Sequence, residues 1–236
     1  MKGKIEIVKD GPYLVSGDLP LATEIIVRDD GGFAVDYEKG GVIETAAEYS
    51  LCRCGNTQNA PFCDGSHFLS GFQGEETASR QDYIDEAESL NGPGLDLTDN
   101  VVLCASAGFC HNSKGEIWDL TRQSDDQEAR DLAIREACHC PSGRLVAWDK
   151  ETGEAIDPDL PPSISLIEDP ANDSSGPIWV KGNVDIVSAD GKLYERRNRV
   201  TLCRCGESRN KPFCDGTHVD IGFHDEGLSL RKKGKT

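Results

Sequence analysis

The chain has 236 residues, 25 of them basic and 42 acidic, for a net charge of −17. That length suits two or three small domains, and so acidic a balance argues against nucleic acid or an anionic membrane as partner, since both attract basic surfaces. No apolar run approaches a membrane span and the opening MKGKIEIVKD lacks the apolar core of a signal peptide, so a cytoplasmic protein is expected. Ten cysteines then call for something other than disulfides, and metal ligation is the expectation in a reducing compartment.

Short β-favouring runs broken by Gly and Pro come first, at residues 5–8, 13–15 and 25–27. They lead to CRCGNTQNAPFCDGSH, from Cys52 to His67, with a short helix expected at its end and Asp64 as its N-cap. Further on, residues 117–120 read as a strand. Residues 124–137 (SDDQEARDLAIREA) read as a helix with Ser124 at the N-cap and Gln127 at the capping-box position; Ala129, Leu132, Ala133 and Ala137 share one face. The acidic run 125–128 suits a solvated helix N-terminus. Residues 145–148 read as a strand, and the Pro-rich stretch 157–162 as a linker. A strand at 178–180 then precedes CRCGESRNKPFCDGTH, from Cys203 to His218, with Asp215 in the position of Asp64.

The second motif belongs to a longer repeat. GPYLVSGDLPL, from Gly11, aligns with GPIWVKGNVDI, from Gly176, and each copy ends in Gly-Phe shortly after its histidine. From the leading Gly to the first Cys is 41 residues in copy one and 27 in copy two, which places a hairpin's worth of insertion in copy one around Asp29, Asp30, Gly31 and Gly32. The expected division is copy one at 1–82, a middle domain at 83–150, a linker at 151–162 and copy two at 163–236.

Both motifs keep the spacing C-x-C-x8-C-x3-H. A C-x-C pair aims two thiols at one metal only if the backbone bends, which Gly55 and Gly206 permit. The later Cys and His, four residues apart in number, share a face if a helical turn begins there. Two pairs of donors suit either one tetrahedral zinc or the two irons of a 2Fe–2S cluster.

Cys52, Cys54, Thr57, Pro61, Cys63, Asp64, Gly65, Ser66 and His67 form the pattern C-x-C-x2-[ST]-x3-P-x-C-D-G-[ST]-H. Cys203, Cys205, Ser208, Pro212, Cys214, Asp215, Gly216, Thr217 and His218 form it again. This resembles the signature of the CDGSH iron–sulfur domain, the NEET family. The resemblance implies a 2Fe–2S cluster at each motif, with the C-x-C pair on one iron, the later Cys and His on the other, and the histidine side near solvent. It also implies an α+β, β-rich fold in which the two copies form an intramolecular pseudo-dimer, so the chain is expected as a monomer. Three thiolates and one neutral imidazole leave an oxidised cluster at −1, between the four-thiolate and two-histidine classes, and its potential is expected between theirs. Arg53 and Arg204, inside the C-x-C pairs, read either as charges that raise the potential or as solvated surface groups.

Between the copies lie Cys104, Cys110, Cys138 and Cys140. The final Cys140-Pro141 resembles the last ligand of a bacterial ferredoxin run, but Ala107 stands where a middle cysteine would be. The segment resembles the divergent mono-cluster ferredoxin domain, a small ferredoxin-like α+β unit. Cys104, Cys110 and Cys140 alone imply a 3Fe–4S cluster; Cys138 or a non-protein ligand would permit 4Fe–4S; a four-cysteine zinc site or a merely structural fold is the competing account. The sequence carries no nucleotide-binding glycine fingerprint and no nucleophile–base pairing. The reading is therefore a carrier of electrons for a redox partner protein, with a cluster donor or sensor serving an apo-acceptor as the alternative. The basic run Arg196, Arg197 and Arg199 reads as a salt-bridged strand face, and His111, His139 and His224 are not assigned as ligands.

Overall fold

A computed structural model describes residues 3–225, so the outermost residues of both assigned copies lie outside it. Copy one comprises β1 (Lys4–Ile7), β2 (Tyr13–Ser16), β3 (Leu21–Arg28), β4 (Ala34–Ile43), β5 (Glu48–Leu51) and α1 (Ser66–Ser70). The middle segment comprises α2 (Tyr83–Glu86), β6 (Glu88–Asn91), β7 (Leu95–Asp99), β8 (His111–Asn112), β9 (Gly115–Glu116), α3 (Ile117–Arg122), α4 (Gln127–His139), β10 (Leu145–Asp149) and β11 (Ala155–Ile156). Copy two comprises β12 (Ser163–Asp169), β13 (Ser174–Lys181), β14 (Asp185–Val187), β15 (Arg199–Leu202) and α5 (Thr217–Asp220).

The two copies share their sheets. One sheet runs β14-β1-β2-β5 and the other β15-β13-β12-β3-β4, so each copy sends its third strand into the sheet of the other. The exchanged strands pair in parallel, with Ile5 opposite Ile186 and Ser165 opposite Ala22; the remaining pairs of these sheets are antiparallel. Alternation explains the faces: Ile5 and Ile7 of β1 and Tyr13 and Val15 of β2 point inward while their neighbours do not. They meet Leu166, Ile178, Val180 and Leu202 of copy two in one continuous core. Burying each such side chain is worth about 1.5–3 kcal/mol, so neither copy keeps its core without the other.

The insertion in copy one is the β3–β4 hairpin, with its tip where the sequence placed it. Asp29 Oδ1 accepts from the N–H groups of Gly31 and Phe33, and Gly32 takes φ +83°, a left-handed value that favours glycine. The hairpin extends the second sheet and reaches the middle domain. Tyr37 packs against Phe109 and Trp179, and its hydroxyl donates to the His139 carbonyl at 3.0 Å.

The middle domain packs α3 and α4 against the sheet β11-β10-β7-β6. Residues 117–120 are helical rather than extended, because Ile117 and Leu120 both bury on this core and a three-residue separation brings them to one side only in a helix. The N-cap of α4 is Asp126, not Ser124: Asp126 accepts from the Ala129 N–H at 3.0 Å, while Ser124 accepts from Gly94 instead. Residues 155–156, in the expected linker, form β11 on the edge of this sheet.

Candidate metal centres

Each CDGSH motif follows the last strand of its copy and folds back on it. Cys52 donates its N–H to the Pro61 carbonyl and Cys203 to that of Pro212, while the isolated bridges Leu51–Phe62 and Leu202–Phe213 close both loops alike. Asp64 and Asp215 do not occupy the N-cap; Gly65 and Gly216 do, at φ +90° and +87°. The aspartates lace the loop one residue earlier. Asp64 accepts from the N–H groups of Ser66 and Gln58, and Asp215 from those of Thr217 and Arg209.

This folding gathers the eight motif donors in pairs. Cys52 and Cys54 bring their Sγ atoms to 3.5 Å, and Cys203 and Cys205 to 3.8 Å. Cys63 Sγ lies 3.4 Å from His67 Nδ1, and Cys214 Sγ 3.4 Å from His218 Nδ1. With metal–sulfur bonds of about 2.3 Å, two ligands of one tetrahedral ion stand about 3.7 Å apart, so each pair fits one ion. Among the described residues no three His, Cys, Asp or Glu side chains gather around a single ion. The contact within each C-x-C pair divides its thiols: Cys52 is lowered to about 6 while Cys54 is raised, and Cys203 is lowered to about 7 while Cys205 is raised, the sulfur–sulfur hydrogen bond being the largest cause.

Both imidazoles are buried, His67 at 7 % exposure and His218 at 6 %, contrary to the solvent-facing histidine implied by resemblance. The Phe68 ring covers His67 from 4.1 Å between centroids. His218 lies deeper in the assembled fold, where burial first and the Arg204 charge second lower it to about 4. Arg53 and Arg204 are likewise buried, not solvated. Arg53 donates to the carbonyls of Gly11, Gly74 and Val8, whereas Arg204 forms ion pairs with Asp225 and Glu168 at 2.7 and 2.8 Å.

The two loops touch at the pseudo-twofold axis. A Cβ added at Gly55 would stand 2.3 Å from the Cys205 carbonyl oxygen, and one added at Gly206 2.6 Å from that of Cys54. Copy one also grips the second loop from outside: the Tyr13 hydroxyl donates to the carbonyls of Cys203 and Pro212, and Thr77 and Ala78 donate to that of Lys211.

In the middle domain Cys104, Cys110 and Cys140 line one pocket beside Ser106 and Arg144. Cys138 is not among its lining residues; its thiol donates to the Ile156 carbonyl at 3.6 Å. The helical register explains this, since Cys138 lies on α4 whereas Cys140 lies past its end. Burial pushes Cys110 up to about 12, and the charges of Cys140 and Cys104 push the same way. Three thiols lining one pocket suit a cationic core shared among them, and the donor set fits such a cluster. Arg196 and Arg199 pair with Asp185 and Asp157, so the basic run is salt-bridged, though of its residues only Arg199 lies on a strand.

Glu168, Asp225 and Tyr13 shape these sites without belonging to either motif. Glu168 and Asp225 reach Arg204 only through the tertiary fold, and no spacing in the sequence marks them. Tyr13 stands in the repeat opposite Ile178, a polar-for-apolar difference that was readable without a partner to assign.

Loops that gather thiols and imidazoles in close pairs suit an iron–sulfur type of protein. The family model for the iron-binding zinc finger of CDGSH type matches residues 10–68 and 175–219, and that for a divergent 4Fe-4S mono-cluster matches residues 90–150. The chain belongs to the CDGSH family, with a mono-cluster domain between its two motifs. No curated protein and no solved structure matches it.

Proposed function

We propose that the protein carries electrons in the cytoplasm on two 2Fe–2S clusters, one held by Cys52, Cys54, Cys63 and His67 and one by Cys203, Cys205, Cys214 and His218. The observation that carries this reading is the pairing of donors at 3.4–3.8 Å. A single zinc would need all four at one point, whereas two irons need one pair each. When bound, such a cluster supplies one-electron chemistry. The chain's own residues bury every donor but Cys63, fix both imidazoles beside a thiol and place a buried guanidinium inside each C-x-C pair. Cys104, Cys110 and Cys140 are proposed to hold a third cluster, of 3Fe–4S or 4Fe–4S type. The partner is a redox protein, and the chain acts as a monomer because its second copy already supplies the exchanged strands.

A second reading, a labile donor to an apo-acceptor, is favoured by one feature: Cys63 is only half-buried, and Phe68 and Leu69 beside it are exposed. Anaerobic purification followed by iron, sulfide and spin-resonance analysis tests both. Two irons and two sulfides per motif, cycling reversibly without loss, are expected. Stoichiometric zinc without acid-labile sulfide would overturn the electron carrier, and transfer to an apo-acceptor in preference to redox cycling would favour the donor.

A further inference from the structure

The three cysteine sites are not equivalently placed. The loop holding Cys104 and Ser106 lies directly on Gly216 in copy two's motif. A Cβ added at Gly216 would stand 2.2 Å from Ser106 Oγ and 3.4 Å from the Cys104 carbonyl oxygen. A second tie holds the same face, where Asn210 of that motif donates to the Val102 carbonyl at 2.9 Å. On its other side this loop is held by the copy-one hairpin, through Arg28 and Tyr37. Copy two therefore has protein contact with the middle site on one side and with copy one's loop on the other, at Gly55 and Gly206. Copy one's motif loop has contact with copy two's at Gly55 and, beyond His67, the exposed side chains of Phe68 and Leu69, at 82 % and 93 %.

The charges around the two motifs differ in the same sense. Arg53 donates only to carbonyls among the described residues, so its positive charge is left to act on copy one's site. Around Arg204, Glu168 and Asp225 add two buried negative charges against its one positive. A site gains an electron more readily the less negative its surroundings, most of all where burial weakens screening.

We propose that these residues make the chain a one-way relay. The Ser106–Gly216 contact joins the middle site to copy two, Glu168 and Asp225 hold copy two at the lower potential, and Arg53 makes copy one the terminal site, where electrons leave. This rests on the iron–sulfur reading above. One electron enters at the middle site from a one-electron donor protein, which is oxidised, and passes between sites without any bond forming or breaking. It leaves beside His67 to a one-electron acceptor protein, which is reduced. Tunnelling falls steeply with distance, so contact between neighbouring loops decides the order of transfer.

The test is a reductive titration of the anaerobically purified full chain by spin resonance, after iron and sulfide are counted. Two separate midpoints are expected for the CDGSH sites, with His67→Cys displacing only the higher and His218→Cys only the lower. Glu168→Gln, which keeps the shape but removes a negative charge, is expected to raise the lower midpoint and leave the higher in place. In the fully reduced chain the middle signal should be split or broadened by copy two, an effect that Cys214→Ala removes and Cys63→Ala preserves. Coincident or reversed midpoints, an unsplit middle signal, a splitting removed by Cys63→Ala, or a middle site without iron would each overturn the relay. Should Cys214→Ala fail to fold, the Glu168→Gln shift decides. Absence of iron and sulfide from both CDGSH motifs would instead overturn the underlying reading.

Discussion

Copy one and copy two hold the same donors at the same intervals, yet their surroundings differ in kind. Arg53 of copy one rests on the backbone carbonyls of Gly11, Gly74 and Val8, while Arg204 of copy two is paired with two buried carboxylates. Cys63 is half-buried; Cys214 is fully buried, and its thiol is pushed up by burial, then by the charge of Cys203, with Asp215 and Cys104 adding to it. Duplication thus preserved the local chemistry and allowed each site's environment to diverge, because that environment is set by residues outside the motifs: Gly11, Gly74 and Val8 around Arg53, and Glu168 and Asp225 around Arg204. A ligand set can stay fixed while burial and nearby charge set its potential and its access.

The most severe way to break the pair is at the axis. Gly55→Val places a side chain against the Cys205 backbone in a left-handed position, and neither backbone can yield cheaply. The expected cost exceeds about 4 kcal/mol. The informative readout is cluster content: both sites should be lost together, and loss confined to copy one would contradict the interlock. Next comes the ion-pair network. Glu168→Ala leaves a buried guanidinium short of one counter-charge, for a cost of about 3–5 kcal/mol seen in the denaturation midpoint. An effect below about 1 kcal/mol would mean that Asp225 alone compensates Arg204.

Copy two and the middle domain should also respond to pH. His218 is lowered to about 4, from an unfolded value of about 6.5, so its contribution is present above pH 6.5 and is lost as pH falls through 4. That amounts to about 3 kcal/mol, read as a falling urea midpoint across this window and reduced in His218→Cys. Glu136 works in the opposite sense. Burial raises it to about 7, so its contribution is full below about pH 4.5 and is lost as pH rises through 7. Glu136→Gln should flatten stability on that side. The smallest expected effect is the sharpest in position. Tyr13→Phe removes two hydrogen bonds to copy two's loop, costing about 1–2 kcal/mol, and should loosen the cluster at Cys203 although Tyr13 belongs to copy one. Acid-induced bleaching that quickens at copy one instead would show that the exchanged contact matters less than the strand it sits on.

The sequence by itself settled what is local: two motifs with identical donor spacing, the repeat around them, the insertion near Asp29, and the strands at residues 13–15 and 145–148. These are legible because turn residues, alternation and ligand intervals act within a few positions. It failed where distant residues compete for the same group. Residues 117–120 look β-favouring, but the middle core takes Ile117 and Leu120 from one side of a helix. Ser124 is a good cap by type, but Gly94 engages it and Asp126 caps α4. Cys138 carries the right atom, but the helix turns it toward Ile156. The tertiary structure alone decided that β3 and β14 change sheets, that both histidines are buried, and that Arg204 meets Glu168 and Asp225. The strand exchange brings together apolar faces more than a hundred residues apart in the chain, and its pairing energy exists only once both copies are folded; Arg204 meets carboxylates 36 and 21 residues away, beyond the reach of any local spacing rule.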